Sequence, residues 1–375
     1  MSSVSSDTSL VRRISAIVAA TPITDIHTHL HPPCFGSLLL RGVDDLLTYH
    51  YLVAEMFRWR DDLDYDAFFS QAVSTQADEV WRTLFIEHSP VSESGRGVLT
   101  ALQAYGLDVA ARDLEAYRRF FAALRPGDHI DLAMRAANVR TLVLTNDPFD
   151  DNERSCWDNG VTIDARFRTA LRIDLLFADW PCAVKKLRAM GFKVTPTLSP
   201  VTIRAVTRFL HHWIERMQPV YLMASLGPDF HLPARTIPAR LFETVVLPVA
   251  RARRLPFAMM IGCKRQINPA LRLAGDGIAP VDLDTLEHIA RTHADVKFLV
   301  TLLTRESQHG LCVLARKFRN LLPFGCWWFL NSPVFIEELT RMRLEWLGTS
   351  MVPQHSDARV LDQIIYKWAH TKTIL

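Results

Sequence analysis

An α/β barrel with parallel strands is the architecture that this sequence predicts. Short apolar segments rich in β-branched residues recur between helix-like patterns, and eight of them are enough to close a barrel. A chain of 375 residues can form one such barrel, so we expect a single domain over residues 1–375. The predicted strands, in chain order, are Ile23–His29, Val139–Thr145, Thr169–Leu175, Val220–Leu226, Pro256–Ile261, Val296–Leu302, Phe324–Phe329 and Met351–His355.

Helices are predicted wherever apolar residues recur at three- and four-residue spacing. Between the later strands they cover Trp180–Met190, Pro200–Met217, Arg240–Arg254, Asp282–Thr292 and Phe335–Leu347. About a hundred residues separate the first two strands, and the helices predicted there are Val43–Arg60, Tyr65–Phe85 and Leu107–Leu124. An insertion at this point of a barrel lies over the C-terminal face, where barrels place their active sites. We therefore interpret residues 36–130 as a helical cap and not as a separate domain.

The composition argues against nucleic acid and membrane partners. The net charge of +3 is too small for strong attraction to polyanions, and no segment approaches the roughly 20 apolar residues that span a bilayer. Six cysteines without a CxxC pair favour a reduced, cytoplasmic protein. Residues 5–18 predict a capped amphipathic helix, which we favour over a secretory signal. The hydrophobic fraction of 49% is compatible with a homo-oligomer without requiring one.

Two histidines at alternate positions, His27 and His29, close the first predicted strand. Side chains alternate between the two faces of a strand, so both imidazoles are expected to point the same way. Two converging neutral imidazoles begin a binding site for a divalent metal, and zinc is the ion that suits them best. The alternative is a chance HxH in a chain that contains 14 histidines.

A metal held by two histidines needs a further ligand, commonly a carboxylate from another strand end. Asp357 follows the eighth predicted strand, and closure of the barrel makes that strand the neighbour of the first. The alternative role of Asp357 is the N-cap of a helix, because residues 358–368 have a helical pattern. His355 is open to two interpretations, a second donor or a packing residue.

Six segments together resemble the uronate isomerase (glucuronate isomerase) family of the amidohydrolase superfamily. They are TDIHTHL at 24–30, DDLLTYHYLVAEMFR at 44–58, LTNDP at 144–148, LRID at 171–174, FGCWWF at 324–329 and SDAR at 356–359. The chain is identified as a divergent, shortened member. The resemblance implies a distorted (β/α)8 TIM-like barrel of the metal-dependent hydrolase type. It also implies one divalent ion at the barrel mouth, Zn²⁺ with Mn²⁺ and Fe²⁺ as alternatives, and interconversion of D-glucuronate and D-fructuronate in carbohydrate metabolism.

Matched position by position, the family pattern implies a role for each site residue. His27, His29 and Asp357 match the metal ligands. His50 matches a histidine that reaches into the site from the cap, and Arg359 matches an arginine beside the metal-bound aspartate. The implied catalytic residues are Asp357, His50 and Arg359. The implied substrate-binding residues, some shared with that group, are Arg172, Arg359, His50, Tyr51, Trp327 and Trp328.

The implied chemistry suits these residue types. Moving a carbonyl between C1 and C2 of a sugar acid requires a base that removes a carbon-bound proton, and a stabilised enediolate. Asp357 or His50 can transfer that proton, and Arg172 offers a bidentate fork to a uronic acid carboxylate. By sequence pattern alone, His50 is as well explained as a buried packing residue of a helix as by a catalytic role. Trp327 and Trp328 are equally typical of a hydrophobic core. Arg172 lies in an apolar strand-like stretch where an unpaired charge is costly, so we favour a functional role.

Two strands depart from the pattern of larger amidohydrolase metal sites. The fourth predicted strand has no lysine, and the fifth has a methionine where a uronate isomerase is expected to have a histidine. Two further hypotheses therefore remain. One is a metal-dependent hydrolase or decarboxylase acting on another small carboxylate, with Asp357 beside a metal-activated water. The other is a catalytically silent barrel kept as a binding or scaffold protein, which metal content after purification would distinguish.

Overall fold

A parallel β-sheet forms the centre of the molecule. The computed structural model describes residues 8–375. Its strands are β1 (Ile23–Thr28), β2 (Val139–Asn146), β3 (Phe167–Arg172), β4 (Leu222–Leu226), β5 (Phe257–Ile261), β6 (Cys263–Lys264), β7 (Gly277–Ile278), β8 (Phe298–Leu302) and β9 (Leu321–Pro323). One sheet has the order β1-β2-β3-β4-β5-β8-β9, and β6 pairs with β7 in a separate antiparallel hairpin. This curled sheet confirms the predicted α/β class, a distorted TIM-like barrel.

Helices fill most of the spacers between the strands. The α-helices are α1 (Thr8–Ala20), α2 (Val43–Leu47), α3 (His50–Met56), α4 (Tyr65–Phe69), α5 (Val73–Trp81), α6 (Glu93–Ala104), α7 (Leu114–Ala122), α8 (Pro126–Ala137), α9 (Asp151–Asp158), α10 (Asp174–Ala178), α11 (Trp180–Ala189), α12 (Pro200–Met217), α13 (Ile237–Leu241), α14 (Leu247–Arg253), α15 (Leu283–Thr292), α16 (Gln308–Lys317), α17 (Pro333–Leu347) and α18 (Gln363–Ile374). Short 3-10 or π-helical turns cover Pro33–Leu38, Arg82–Glu87, Val109–Ala111, Phe242–Val246, Pro269–Gly275 and Trp328–Leu330. Within residues 8–375, none of the helices combines the length and apolarity needed to cross a bilayer.

Several predicted helices are interrupted or shifted in the structure. Val43–Arg60 divides into α2 and α3, because Tyr49 between them has an extended backbone. Tyr65–Phe85 is likewise divided where Ala72 is extended. The helix α1 agrees with the predicted N-terminal helix, whereas the predicted capping residues 5–7 lie outside the described part of the chain.

The chain divides into two compact units, and the boundaries fall inside β1 and β2. The first unit comprises residues 1–25, 40–142 and 358–375, and the second comprises residues 26–39 and 143–357. The first unit is mainly helical, with α2–α8 and α18, and the second contains most of the sheet.

The seventh predicted strand is wrong in position. The strand β9 ends at Pro323, ahead of the predicted segment Phe324–Phe329. Proline has no amide hydrogen to donate to a neighbouring strand, and Gly325 has a positive φ of 64° that turns the chain away. The third predicted strand is also too long, since β3 ends at Arg172 and a helical turn begins at Asp174.

The eighth predicted strand, Met351–His355, is reduced to a single bridge. Val352 pairs with Phe324 on one side, and Pro353 follows it. On the other side, the backbone N–H of Asp357 donates to the carbonyl oxygen of His27 at 3.1 Å. Two short contacts thus close the ring where a regular barrel has a full strand.

Two apolar clusters lie on opposite faces of the sheet in the second unit. Leu222 and Phe257 belong to an outer cluster packed against the helices, whereas Met223 and Met260 belong to an inner cluster with Phe324. The alternation follows the two-residue period of a strand, and burial on both faces is typical of parallel sheets. The imidazoles of His27 and His29 and the guanidinium of Arg172 lie at or just beyond the carboxyl ends of β1 and β3.

Candidate active site

The three predicted metal ligands meet in the second unit. The Nε2 atoms of His27 and His29 each lie 3.3 Å from Oδ1 of Asp357. One ligating atom of each residue lies within 4.8 Å of the other two. His27 is fully buried, and the side chains of His29 and Asp357 keep 13% and 10% of their surface exposed. A single cation can therefore be shared by all three, with an approach from solvent.

The orientation of His27 is set by Tyr221, the residue immediately before β4. The Tyr221 hydroxyl donates to the carbonyl oxygen of Ile26 at 2.7 Å and lies 3.3 Å from Nδ1 of His27. A hydroxyl has one hydrogen, so the oxygen that donates to Ile26 is left to accept from Nδ1–H of His27. This assigns the ring proton of His27 to Nδ1 and leaves a lone pair on Nε2.

A second hydroxyl orients His29 in the same way. Thr145, near the end of β2, donates to the carbonyl oxygen of Thr28 at 3.1 Å and lies 2.8 Å from Nδ1 of His29. Its oxygen therefore accepts from Nδ1–H, and the Nε2 lone pair of His29 faces Asp357. Hydroxyl or carbonyl partners of this kind fix the tautomer of metal-ligating histidines.

The donor set itself fits a divalent cation. Two imidazole lone pairs and a carboxylate oxygen point at one another from 3.3 Å, an arrangement that is repulsive without a positive charge among them. Two histidines and one carboxylate are ligands that zinc accepts in catalytic sites. The described residues thus include a group that can hold a metal, as predicted.

Asp357 is held in an uncommon backbone conformation. Its φ is 56°, in the left-handed region that aspartate tolerates better than most residues. Burial raises the pKa of the Asp357 carboxyl, but when His27 and His29 are protonated their N–H groups and charge outweigh burial and hold that pKa well below its ordinary value. The alternative role as a helix N-cap is wrong, because α18 begins at Gln363 with Asp362 before it.

His355 is a packing residue in this arrangement. Its ring lies 4.9 Å from that of His27 and 5.3 Å from that of Phe324, between ring centroids. Neither ring nitrogen has a hydrogen-bond partner among the described residues, and burial lowers the pKa of His355 to about 3. The backbone of Gly325 lies so close that a Cβ there would overlap the imidazole.

Arg172 lies at the carboxyl end of β3, on the strand face that Ala170 presents to the inner cluster. Its Nε and Nη2 donate to Oδ2 of Asp174, at 2.9 and 2.6 Å. Burial lowers the pKa of Arg172, but Asp174 and Asp147 outweigh it and raise the pKa above its ordinary value. Asp174 in turn accepts from the backbone N–H of Ser225 at 2.7 Å.

A cavity of about 320 Å³ shares Ser225, whose N–H donates to Asp174, with this ion pair. It lies beside the carboxyl ends of β4 and β5, and its charged lining residues are Asp229, Lys264 and Arg265. Its volume falls within the range of small-molecule pockets, and the two cationic side chains exceed the one carboxylate in its lining.

The two tryptophans differ in burial. Trp327 is 3% exposed and belongs to the inner cluster, and Trp328 is half-buried against it. Trp328 has a positive φ of 47° and stacks on Phe329, and the guanidinium of Arg265 lies 5.9 Å from its ring centre. Trp328 is therefore the tryptophan nearer to the charged lining of the cavity.

Comparison with solved structures supports one family. A scan against protein-family models and a search of curated proteins found no match. A uronate isomerase from Bacillus halodurans is 51% identical in sequence, with a TM-score of 0.96, over 98% of this chain and 86% of that one. The chain belongs to the uronate isomerase family. This confirms the predicted family and, with it, the prediction of an isomerase.

Two more distant structures share the fold of the family. A uronate isomerase from Thermotoga maritima is 16% identical with a TM-score of 0.74, over 96% of this chain and 88% of that one. A glucuronate isomerase from Caulobacter crescentus is 18% identical with a TM-score of 0.76, over 98% of this chain and 88% of that one.

Three residues to which the family pattern gives a role belong to the first unit. His50 begins α3, and its ring lies 4.1 Å from that of Tyr49 and 4.7 Å from that of Tyr51. The backbone N–H of Arg359 donates to the side chain of Gln363 at 2.8 Å. The catalytic roles of His50 and Arg359 and the substrate contact of Tyr51 stay predictions.

The sequence analysis missed the residues that support the ligands and the arginine. Thr145 and Asp174 lie at or just beyond the carboxyl ends of their strands and bond to the backbone of a neighbouring strand, whereas Tyr221 precedes β4 and bonds to the backbone of β1. Asp147 was missed as well, although its alternation with Thr145 after an apolar strand repeats the pattern of the two histidines. Thr145, Asp147 and Asp174 lie inside segments that resemble the family, whereas Tyr221 carries no such signal.

Replacing Asp357 with asparagine is expected to weaken metal retention by at least about 100-fold and to abolish turnover, because a neutral amide is a poorer ligand than a carboxylate. Metal content after dialysis, measured by mass spectrometry, checks this. Asp164→Asn, at an exposed site, is the control and should retain metal. An Asp357→Asn protein with unchanged metal content and activity would contradict the ligand assignment.

Asp147 is expected to make the folded protein less stable as the pH rises from about 4 to about 7. Burial raises the pKa of Asp147 to about 7, although Arg172 opposes this, so the folded state keeps a proton that the unfolded state has lost. Asp147→Asn removes this dependence while an amide oxygen can still accept from the Phe149 N–H.

Thermal unfolding at about pH 5 and about pH 8 measures this effect. Between pH 5 and pH 8, the free energy of unfolding of the variant should rise relative to that of the native protein by on the order of 1–3 kcal/mol. If the free energies of unfolding of the variant and the native protein differ by the same amount at both pH values, Asp147 is ionised throughout.

Proposed function

We propose that this protein is a metal-dependent aldose–ketose isomerase of uronates that interconverts D-glucuronate and D-fructuronate. The 51% identity with a protein named a uronate isomerase, over nearly the whole chain, carries the proposal. The convergence of His27, His29 and Asp357 supports the metal dependence. All six cysteines are free thiols, which supports a cytoplasmic location.

We assign the metal to His27, His29 and Asp357, and we favour Zn²⁺ over Mn²⁺ and Fe²⁺ for a set with two imidazoles. Held by these three residues, a divalent ion would supply Lewis-acid polarisation of substrate oxygens and stabilise negative charge that develops on them. Tyr221 and Thr145 keep both Nε2 atoms deprotonated and correctly aimed.

The proton transfer falls to Asp357 or His50. In the aldose-to-ketose direction a base removes the proton from C2, a proton is delivered to C1, and the hydroxyl proton of O2 is lost while O1 gains one. Positive charge beside Asp357, whether on protonated imidazoles or on a bound cation, keeps its carboxylate ionised at neutral pH and available as an acceptor. Oδ1 faces the two imidazoles, which leaves Oδ2 for the proton. Arg359 adds positive charge beside it in the sequence, and His50 is the alternative base.

The substrate carboxylate is assigned to Arg172. Two of its five N–H groups are engaged by Asp174, and the others are directed away from that carboxylate. The cavity beside the pair, with Arg265 in its lining, gives room for a sugar acid. We place Tyr51, Trp327 and Trp328 in the wall around the sugar, and residues 36–130 as a cap that excludes water.

Incubation with D-glucuronate or D-fructuronate in heavy water, followed by proton NMR, tests this function. Interconversion with solvent deuterium at C2 of the recovered glucuronate is expected. Removal of metal by a chelator should stop the exchange, and added Zn²⁺ should restore it. Absence of interconversion by the metal-loaded protein would overturn the proposal, and loss of carbon dioxide or a hydrolysis product would favour the hydrolase or decarboxylase alternative.

Arg172→Met is expected to raise KM for D-glucuronate by about 10–1000-fold, because bidentate recognition of the carboxylate is lost. Steady-state kinetics measures the change. The matched control is Arg166→Met, which removes an exposed arginine that also pairs with a nearby aspartate. An unchanged KM would remove the assignment of Arg172 to the substrate carboxylate.

A further inference from the structure

Asp174 is almost completely buried, with 8% of its surface exposed, and both of its carboxylate oxygens are engaged. Oδ2 accepts from Nε and Nη2 of Arg172, and Oδ1 accepts from the backbone N–H of Ser225 on β4. One carboxylate therefore fixes the arginine of one strand to the backbone of the next. Neither bond can be exchanged freely for water at this depth.

The geometry divides the guanidinium into two faces. Asp174 occupies the side face formed by Nε and Nη2. The end face, formed by Nη1 and the second hydrogen of Nη2, has no hydrogen-bond acceptor among the described residues. An end face with two parallel N–H groups is the one that a ligand carboxylate can engage in bidentate fashion.

We propose that Asp174 is a positioning residue for substrate recognition, which holds the side face of Arg172 so that the end face is presented to the carboxylate of the uronate. This inference rests on the proposed isomerase function. Asp174 does not contact the reacting carbons. It acts by fixing one rotamer of a long side chain before the substrate arrives, which lowers the entropy cost of binding.

A second pair in the chain shows what such an ion pair does without this context. Arg166 donates through Nε and Nη2 to Oδ2 of Asp164, so the contact and the two-residue spacing are the same. Those two side chains are 40% and 45% exposed, against 20% and 11% for Arg172 and Asp174. Solvent competes for the first pair and not for the second, so only the second can impose a fixed orientation.

The test is Asp174→Asn, with Asp164→Asn as the matched control. The amide oxygen of asparagine can still accept from the Ser225 N–H. Its NH2 group then faces Nε and Nη2 of Arg172, and these donors lose their acceptor. KM for D-glucuronate is expected to rise by about 10-fold or more, with kcat within about 3-fold, and the control should leave both unchanged. A neutral methyl ester of D-glucuronate should lose no more than about 2-fold in kcat/KM, because it has no carboxylate to misplace.

A double mutant separates positioning from a general structural effect. In the Arg172→Met background, Asp174→Asn should have almost no further effect on KM, because both changes remove one interaction. Additive effects on KM, or an unchanged KM in the single Asp174→Asn variant, would overturn the inference. If Asp174→Asn does not fold, Asp174→Glu is measured with the same expected rise in KM, because the longer chain displaces the carboxylate. Inactivity of the native protein would instead overturn the proposed function on which this inference rests.

Discussion

Closure of the ring and assembly of the ligands depend on the same interaction. The hydrogen bond from the Asp357 amide to the His27 carbonyl joins the last segment of the ring to β1. It also brings the carboxylate of Asp357 to the edge where both imidazoles emerge. The segment before Asp357 does not form a regular eighth strand. On the side of β1, the single bond from Asp357 to His27, made with a left-handed backbone at Asp357, therefore takes the place of a full ladder of hydrogen bonds.

The remaining site residues are held by side chains that bond to the backbone of another strand. Thr145 and Asp174 each pair with a neighbouring strand, and the Tyr221 hydroxyl pairs with the backbone of β1. Apolar clusters line both faces of the sheet, so each of these buried polar groups needs a hydrogen-bond partner. The same requirement thus orients the histidines and the arginine.

The sequence specified the strands that carry continuous apolar patterns, and it specified the candidate ligands at their ends. His27, His29 and Asp357 could be predicted because local alternation and ring closure both point to them. The seventh and eighth strands could not be placed, because the positive φ of Gly325 and the proline at 353 end pairing within segments whose apolar residues continue in sequence. The partner of Tyr221 is 195 positions away, and no local pattern encodes such a contact.

Gly325 is a position of the ring that leaves no room for a side chain. Its backbone approaches His355 so closely that even a methyl group would overlap the imidazole, and its φ of 64° disfavours any other residue. His355 is packed against His27, so a displacement of the first ring would be transmitted directly to the second. The absence of a side chain at Gly325 therefore helps to orient His27, a candidate ligand that Gly325 does not contact. Gly325 is thus a determinant of the site together with the histidines themselves.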